Sequence, residues 1–386
     1  MDIQPPHHLR EQFLLDPQVI YLNHGSFGAT PRHVFESYQR WQREIENQPT
    51  LLLGRRATEL MEHSRQDLAA FLGTSSRNLA YVMNTTTGIN IIARSLSLSR
   101  GDEVLATDHE YGALVRTWQY LAQKNGFRYI NQAIPLPVTT PGAFVDAFWA
   151  GVTPRTRVIF ISHITSPTAL IFPVEEICRR ARQSGIITVV DGAHAPGQIP
   201  LSLDALGADF YSGNLHKWLC APKGSAFLYA RSDAIPMLEP LIVSWGYQSE
   251  APGPSKLVDY VEWQGTRDIS PFLAVPDAIR FYQDNHFDLL RDGCHELLVK
   301  TVSDIAAISH KAPVSPLTWE WFSQMAVAPL PDSVDVTALH DQLYEDFHIE
   351  IPIIDWHGQK FARCSFQVYN TPADAEALIT ALDRLL

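Results

Sequence analysis

The chain has 386 residues, 46% of them hydrophobic and 19% charged, with a mean hydropathy of -0.08, and this balance excludes a disordered chain or a fibre. Lysine and arginine total 30 against 42 acidic residues, for a net charge of -12, and no segment gathers the basic residues into a stripe that could follow a phosphate backbone. Nucleic acid is therefore not an expected partner. No run approaches the ~20 apolar residues of a membrane-spanning helix, and the first thirty residues lack a basic start followed by an apolar stretch, so no membrane association and a cytoplasmic location are expected. The four cysteines (Cys178, Cys220, Cys294, Cys364) are far apart and form no CxxC pair, which fits a reducing compartment. A chain longer than the ~100–200 residues of one common core predicts a large domain with a smaller companion.

In chain order, Asn23-His24-Gly25 reads as a turn, and from about Leu79 to Tyr229 short β-rich runs alternate with helical stretches. This alternation predicts parallel strands joined by crossover helices, an α/β fold. AYVM (80–83) is a predicted strand leading through Asn84-Thr85-Thr86-Thr87-Gly88 into a helix, and EVLAT (103–107) is another. Asp108 to Tyr111 then opens a helix that closes at Asn125-Gly126. RVIFIS (157–162) precedes a helix begun at Pro173, IITVV ends in Asp191, ADFYS (208–212) leads to Lys217, and GSAFLYA (224–230) closes the series. Apolar runs such as IITVV suit strands covered on both faces, with ligands beyond their carboxyl ends. Residues 84–87, 108–109, 162–168, 191–194 and 212–217 are thereby predicted to share one rim. Trp41 to Arg56 and Ser244 to Lys256 read as loops, and after Ser270-Pro271 helices beside strands near WFSQMAVAPL and KFARCSFQVYN predict an α+β part.

Lys217, between two strands and followed by apolar and turn residues, is placed where desolvation would make its amine nucleophilic enough to form a Schiff base. Asp191 ends a strand too apolar to hold an unpaired carboxylate, so it needs a cationic partner. A protonated pyridine nitrogen is one, and a Schiff-base lysine with a pyridinium aspartate is how proteins use pyridoxal phosphate. The Asn84 to Gly88 run offers hydroxyls and free amides at a helix start for the phosphate.

VDGAHAPGQIPLSLDALGADFYSGNLHKWLCAPKGSAFLYA resembles the lysine region of fold-type I, class V aminotransferase-like pyridoxal phosphate enzymes. YLNHGSFGATP, DHEYGA, SHITSPTALIFP, LHKW, QGTRD and RCSFQVYN resemble the isopenicillin N epimerase-like branch. The resemblance implies a PLP-transferase fold of type I, with a large domain over residues 20–265 built on a mostly parallel sheet between helices. Residues 1–19 and 266–386 would then form a smaller α+β domain. It further implies that Lys217 carries pyridoxal 5'-phosphate, that Asp191 meets the ring nitrogen and that His109 stacks on the ring. His194 and Ser166 would approach the ring edge, and Thr85, Thr86, Ser212 and His216 would surround the phosphate. Asn214 stands where relatives carry the serine three residues before the lysine, which puts the role of Ser212 in question. Thr266 resembles a residue that reaches the phosphate of a neighbouring subunit, implying a homodimer with shared active sites. Arg363 matches the arginine that holds the substrate α-carboxylate, and Asn23 and His24 belong to a segment that approaches the substrate.

The reaction is left open by these residues. EIPIIDWHGQKFA, ahead of Arg363, holds no cysteine, and Cys364 should point away by strand alternation, which disfavours a persulfide-forming desulfurase. Epimerisation needs Lys217 and a second acid/base opposite it, with His109, Tyr111 and His357 as candidates. A carbon-sulfur lyase or an aminotransferase fits the same residues, and the leading expectation is an epimerase-like enzyme acting at Cα of an amino acid or short peptide. A metal hydrolase built on His24, His109, Asp191, His194 and His216 would leave Lys217 and Arg363 without a role, so no metal is expected. A partner-binding protein that has lost activity would have no reason to keep Lys217 and Asp191 together.

Overall fold

Alternation within apolar runs separates the interior into two packed layers on either side of one sheet. The computed structural model describes residues 7–386, and residues 1–6 of the expected N-terminal segment lie outside the described residues. Twelve strands occur among the described residues: β1 (Ile20–Tyr21), β2 (Leu79–Val82), β3 (Glu103–Thr107), β4 (Arg128–Gln132), β5 (Thr156–Ser162), β6 (Ile187–Asp191), β7 (Phe210–Asn214), β8 (Ala226–Ala230), β9 (Met325–Leu330), β10 (Ile349–Glu350), β11 (Ile353–Trp356) and β12 (Gln359–Ser365). Seven form the central sheet in the order β2-β8-β7-β6-β5-β3-β4. Val158 and Phe160 pack into the apolar cluster on one face, and Ile159 and Ile161 into that on the other. The helices Thr85–Ser95 and Gly112–Asn125 contribute to the first cluster, Pro141–Trp149 and Val174–Gln183 to the second.

The sheet is the mostly parallel one expected, and the strand series corrects the reading in three places. β8 runs antiparallel to both neighbours, β7 and β2. The stretch between Asn214 and Ala226 contains no crossover helix, and without one a strand returns in the opposite sense. β7 extends to Asn214 rather than ending at Ser212, and β4, whose sequence RYINQ is half exposed at the edge, has no strong apolar signal. The carboxyl ends of β2, β3, β5, β6 and β7 lie on one edge of the sheet.

β9, β11 and β12 form a second, antiparallel sheet in the order β11-β12-β9, beside the long helix Phe287–Ser309. β1 pairs with β10 in parallel, joining residues from the two ends of the chain. Residues 41–56 are not a loop: the helix Arg32–Asn47 and a π-helical turn, Thr50–Arg56, cover them. That helix buries Val34, Ser37 and Ile45 at near-helical spacing, a pattern diluted in sequence by its many charged residues.

Two glycines in the left-handed region close on the segment that carries Lys217. Gly28 (φ +70°) lies against the His216 carbonyl and the Lys217 Cα, and Gly197 (φ +85°) against the backbone of Trp218 and Leu219. A side chain at Gly28 would meet backbone that cannot yield, in a conformation that other residues adopt only with strain. Gly28→Ala is expected to destabilise the protein by about 2 kcal/mol, through strain and overpacking. A thermal unfolding midpoint unchanged from the parent would show that the contact is not tight.

Candidate active site

Where β2, β3, β5, β6 and β7 end, their following turns enclose a cavity of about 370 Å³. Thr85, Thr86, Ser166, Asp191, His194, His216, Lys217 and Arg363 all line it, although they are drawn from nearly three hundred residues of chain. Asn214, Ser162, Tyr111 and the segment Gly25-Ser26-Phe27 complete much of the wall.

Lys217 sits one turn beyond β7, with its carbonyl accepting hydrogen bonds from the Cys220 amide (3.0 Å) and from His24 Nε2 (3.0 Å). A carbonyl only accepts, so His24 carries its proton on Nε2, and its Nδ1 accepts from the Tyr369 hydroxyl at 2.9 Å. Burial holds His24 neutral, with its pKa lowered to about 3. The Lys217 amine lies 3.2 Å from His194 Nε2, while His194 Nδ1 accepts from the Trp218 indole at 3.4 Å. The proton of a neutral His194 is thereby on Nε2, directed at the amine, which accepts it only when uncharged. Burial and then the Arg363 charge lower the pKa of Lys217 to about 7, against the opposing pull of Asp191.

Asp191, at the end of β6, accepts the Ala193 amide at 2.9 Å. Burial raises its carboxyl to about 6 even with Lys217 nearby. Arg363, on β12, donates from Nη1 to the Ser166 carbonyl (2.8 Å) and hydroxyl (3.1 Å) and from Nη2 to the Ser26 hydroxyl (2.8 Å). Its Nε is buried without a partner, and burial lowers its pKa to about 10. At the opposite wall Asn84 caps the helix Thr85–Ser95 through the Thr87 amide (2.8 Å), and Asn214 accepts the Thr85 amide (2.9 Å). The Thr85 hydroxyl is buried with no partner of its own.

Five residues expected at the site lie elsewhere. His109 does not face the cavity: it is wholly buried, with Nδ1 2.8 Å from the Thr168 hydroxyl, Nε2 2.8 Å from the Ile134 carbonyl and Trp356 against its ring. Tyr111, two residues on, lines the cavity instead. Ser212 donates to the Phe227 carbonyl at 2.7 Å and packs beneath Gly88, below the helix start rather than in the cavity. Asn214 occupies the rim because β7 continues to it. Asn23 turns away to donate to Glu350 at 2.8 Å, and His24 buttresses the Lys217 backbone from behind. Thr266 lies in a second cavity of about 260 Å³ with Arg65, Trp245 and Glu262, and so not beside Lys217 of its own chain.

The matched residue types fit pyridoxal phosphate. An amine whose pKa is lowered to about 7, a buried carboxylate short of a cation, an unpartnered hydroxyl at a helix start and an arginine with a free N–H each lack the partner that the cofactor or an amino-acid carboxylate would supply. All four cysteines are buried with their thiols pushed up to about 12, and none lines the cavity. Among the described residues no cluster of three or more His, Cys, Asp or Glu is placed to hold a metal, and no helix is long and apolar enough to cross a membrane.

The family model for aminotransferase class-V matches residues 20–316. The chain belongs to that family. As a class V chain it is a pyridoxal phosphate-dependent enzyme. It is 36% identical over 388 residues to an isopenicillin N epimerase of Amycolatopsis lactamdurans, covering 97% of each chain. A putative L-cysteine desulfhydrase 2 of Oryza sativa subsp. japonica is 30% identical, covering 96% of this chain and 85% of that one. Among solved structures, an apo cysteine desulfurase from Thermococcus onnurineus NA1 superposes with a TM-score of 0.85 at 21% identity, covering 99% and 98% of the two chains, and shares the fold.

For this class V chain, apoprotein prepared without cofactor is expected to take up pyridoxal phosphate at a rate that rises with pH and levels off above about 7, because the uncharged amine is the form that reacts. An ordinary lysine would give a rate still rising toward pH ~10. Lys217→Ala should abolish the borohydride-reducible attachment, and mass mapping that finds the label on another lysine would reassign the site.

Proposed function

We propose that this enzyme acts at Cα of an amino acid or short peptide in the manner of an isopenicillin N epimerase, inverting the configuration there. One observation carries the reading: Lys217 and Tyr111 both line the cavity, and no thiol does. The 36% identity to an epimerase over nearly the whole of both chains supports the same assignment.

Lys217 and Asp191 would hold the cofactor, with Thr85, Thr86, Asn214 and His216 at its phosphate and Tyr111 against its ring. His194 would hold the Lys217 side chain in place and keep it uncharged. The cofactor supplies an electron sink that makes the Cα–H bond acidic. Arg363 would grip the substrate carboxylate with two parallel N–H donors, its orientation fixed by Ser166 and Ser26. The Lys217 amine would take the Cα proton from one side, and the Tyr111 hydroxyl would return one to the other. Of the other two candidates for that second group, His109 has both ring nitrogens bound to protein, and His357 lies in an adjoining cleft with Asp355 and Trp356. His24 and His109 each have both ring nitrogens engaged by protein groups, which leaves neither free to share a metal with His194 and His216.

A carbon-sulfur lyase is the second reading, favoured by the 30% identity to a putative L-cysteine desulfhydrase and by the same lack of a thiol in the cavity. Transamination requires two alternating substrates, and no residue here selects for it. The reactions separate in heavy water. An epimerase exchanges the Cα hydrogen of its substrate and yields the opposite enantiomer without keto acid, and Tyr111→Phe should lower the epimerisation rate by roughly 100-fold while leaving cofactor binding intact. Sulfide and pyruvate from cysteine, unaffected by that change, would turn the assignment to the lyase.

The division into a large domain (20–265) and a small one (1–19 and 266–386) is part of this reading, as is a homodimer. Leu241, Ile242, Val243 and Trp245 form an exposed apolar run, Trp245 87% exposed, beside the cavity that holds Thr266. Such a run is suited to burial against a second copy, from which Thr266 would reach the other subunit's phosphate site. Trp245→Glu is expected to shift the protein to monomer in sedimentation and to weaken cofactor retention, and a monomeric parent protein would remove the proposal.

A further inference from the structure

Of the buried carboxyls that the chemistry above does not use, one lies beside the cavity wall. Glu110 stands between His109 and Tyr111 in the turn after β3, buried, with hydroxyls as its side-chain partners. Thr107 Oγ1 is 2.6 Å from Oε1, and Ser162 Oγ is 2.6 Å from Oε2. The Thr107 oxygen also accepts the His109 amide at 3.2 Å, and its hydroxyl is the donor to Glu110 Oε1. The direction of the bond between Oε2 and Ser162 depends on the ionisation of Glu110, because Ser162 donates to a carboxylate whereas a protonated carboxyl can donate to Ser162.

The groups that face this carboxyl decide it. From β6 comes the carboxyl of Asp191, which is the register partner of Ser162, and from β4 the phenol of Tyr129, whose oxygen is buried with no partner. His109, its chain neighbour, is held neutral by burial. No cation stands among them, and a second bare carboxylate beside Asp191 would be unpaired in a dry interior. Burial pushes the Glu110 carboxyl up to about 8 against the opposing hydrogen bonds from Ser162 and Thr107, with a smaller upward contribution from Asp191.

We infer that Glu110 is a protonated positioning residue, which donates from Oε2 to Ser162 Oγ and so turns the Ser162 hydroxyl proton into the cavity on the side of Asp191. An ionised Glu110 would reverse this, taking the Ser162 proton and presenting only lone pairs beside Asp191. The inference rests on the proposed placement of the cofactor ring against Asp191. Ser162 would then add a hydrogen-bond donor where that ring and its aspartate meet, and Glu110 would spare Asp191 a neighbouring charge.

The test uses the full-length protein, reconstituted with pyridoxal phosphate, in three variants. Glu110→Gln presents an amide N–H to Ser162 and a carbonyl to Thr107, reproducing the neutral acid, whereas Glu110→Met fills the space with no donor, and Ser162→Ala removes the relay. Cofactor affinity, the pH midpoint of the bound cofactor's visible absorption and the thermal midpoint are read on each. Glu110→Gln is expected to keep affinity within about twofold and leave the pH midpoint in place. Glu110→Met and Ser162→Ala are expected to weaken cofactor binding about tenfold and to move the pH midpoint, with the thermal midpoint of Ser162→Ala unchanged. Two results would overturn the inference: Glu110→Gln matching Glu110→Met, or Ser162→Ala leaving affinity and pH midpoint as in the parent. Parent protein that takes up no pyridoxal phosphate would bring down the functional reading, and this inference with it.

Discussion

An amine that must stay uncharged inside a closed cavity sets the terms for everything around it. Lys217 meets them by being buried beside Arg363 and within reach of a histidine that donates to it, and by having its backbone held on three sides. Gly28 and Gly197 come close enough to exclude any side chain, and His24 binds the carbonyl from behind. The sheet contributes through β8, whose reversed direction returns the chain directly past the same rim and keeps the lysine turn short.

The charges of the cavity are arranged around unfinished hydrogen bonds. Asp191 and Arg363 are buried charged groups without a direct ion-pair partner among the described residues, and burial moves each toward its neutral form. In a finished structural core such groups would be a net cost. In the proposed function each would be completed by a small molecule, the carboxyl by a ring nitrogen and the guanidinium by a carboxylate. Glu110 completes the pattern from the second layer by remaining neutral where a charge would compete with Asp191.

Much of this was legible in the chain, and the failures share a cause. Asp191 and Lys217 could be placed because apolar runs end abruptly in polar residues, and a mostly parallel sheet brings such ends to one edge. Arg363 followed from its resemblance to a family position, and strand alternation sends Cys364 the other way. The turn residues were harder. In Asp108-His109-Glu110-Tyr111 no periodicity tells which side chain faces the ligand, and His109 is drawn inward by Thr168 and the Ile134 carbonyl while Tyr111 faces out. Ser212 was misplaced because β7 continues to Asn214, and polar strand ends carry no clear stop. His24 read as part of an entry turn, but its partners, Tyr369 and the Lys217 carbonyl, are remote in sequence and carry no local signal. Glu110 was hidden for the same reason, since only the folded sheet shows that a carboxyl after β3 meets Ser162, the strand neighbour of Asp191.

The bond between His24 and Tyr369 joins residues separated by 345 positions, and it holds the turn that carries Lys217. β1 and β10 span a similar interval. During synthesis on a ribosome, the strands through β8 would emerge long before Tyr369 and β12, so the lysine would be present while its support and the Arg363 wall were still missing. The proposed cofactor site thus becomes complete only when β12 and Tyr369 have left the exit tunnel, and tight loading of pyridoxal phosphate would wait for that part of the chain.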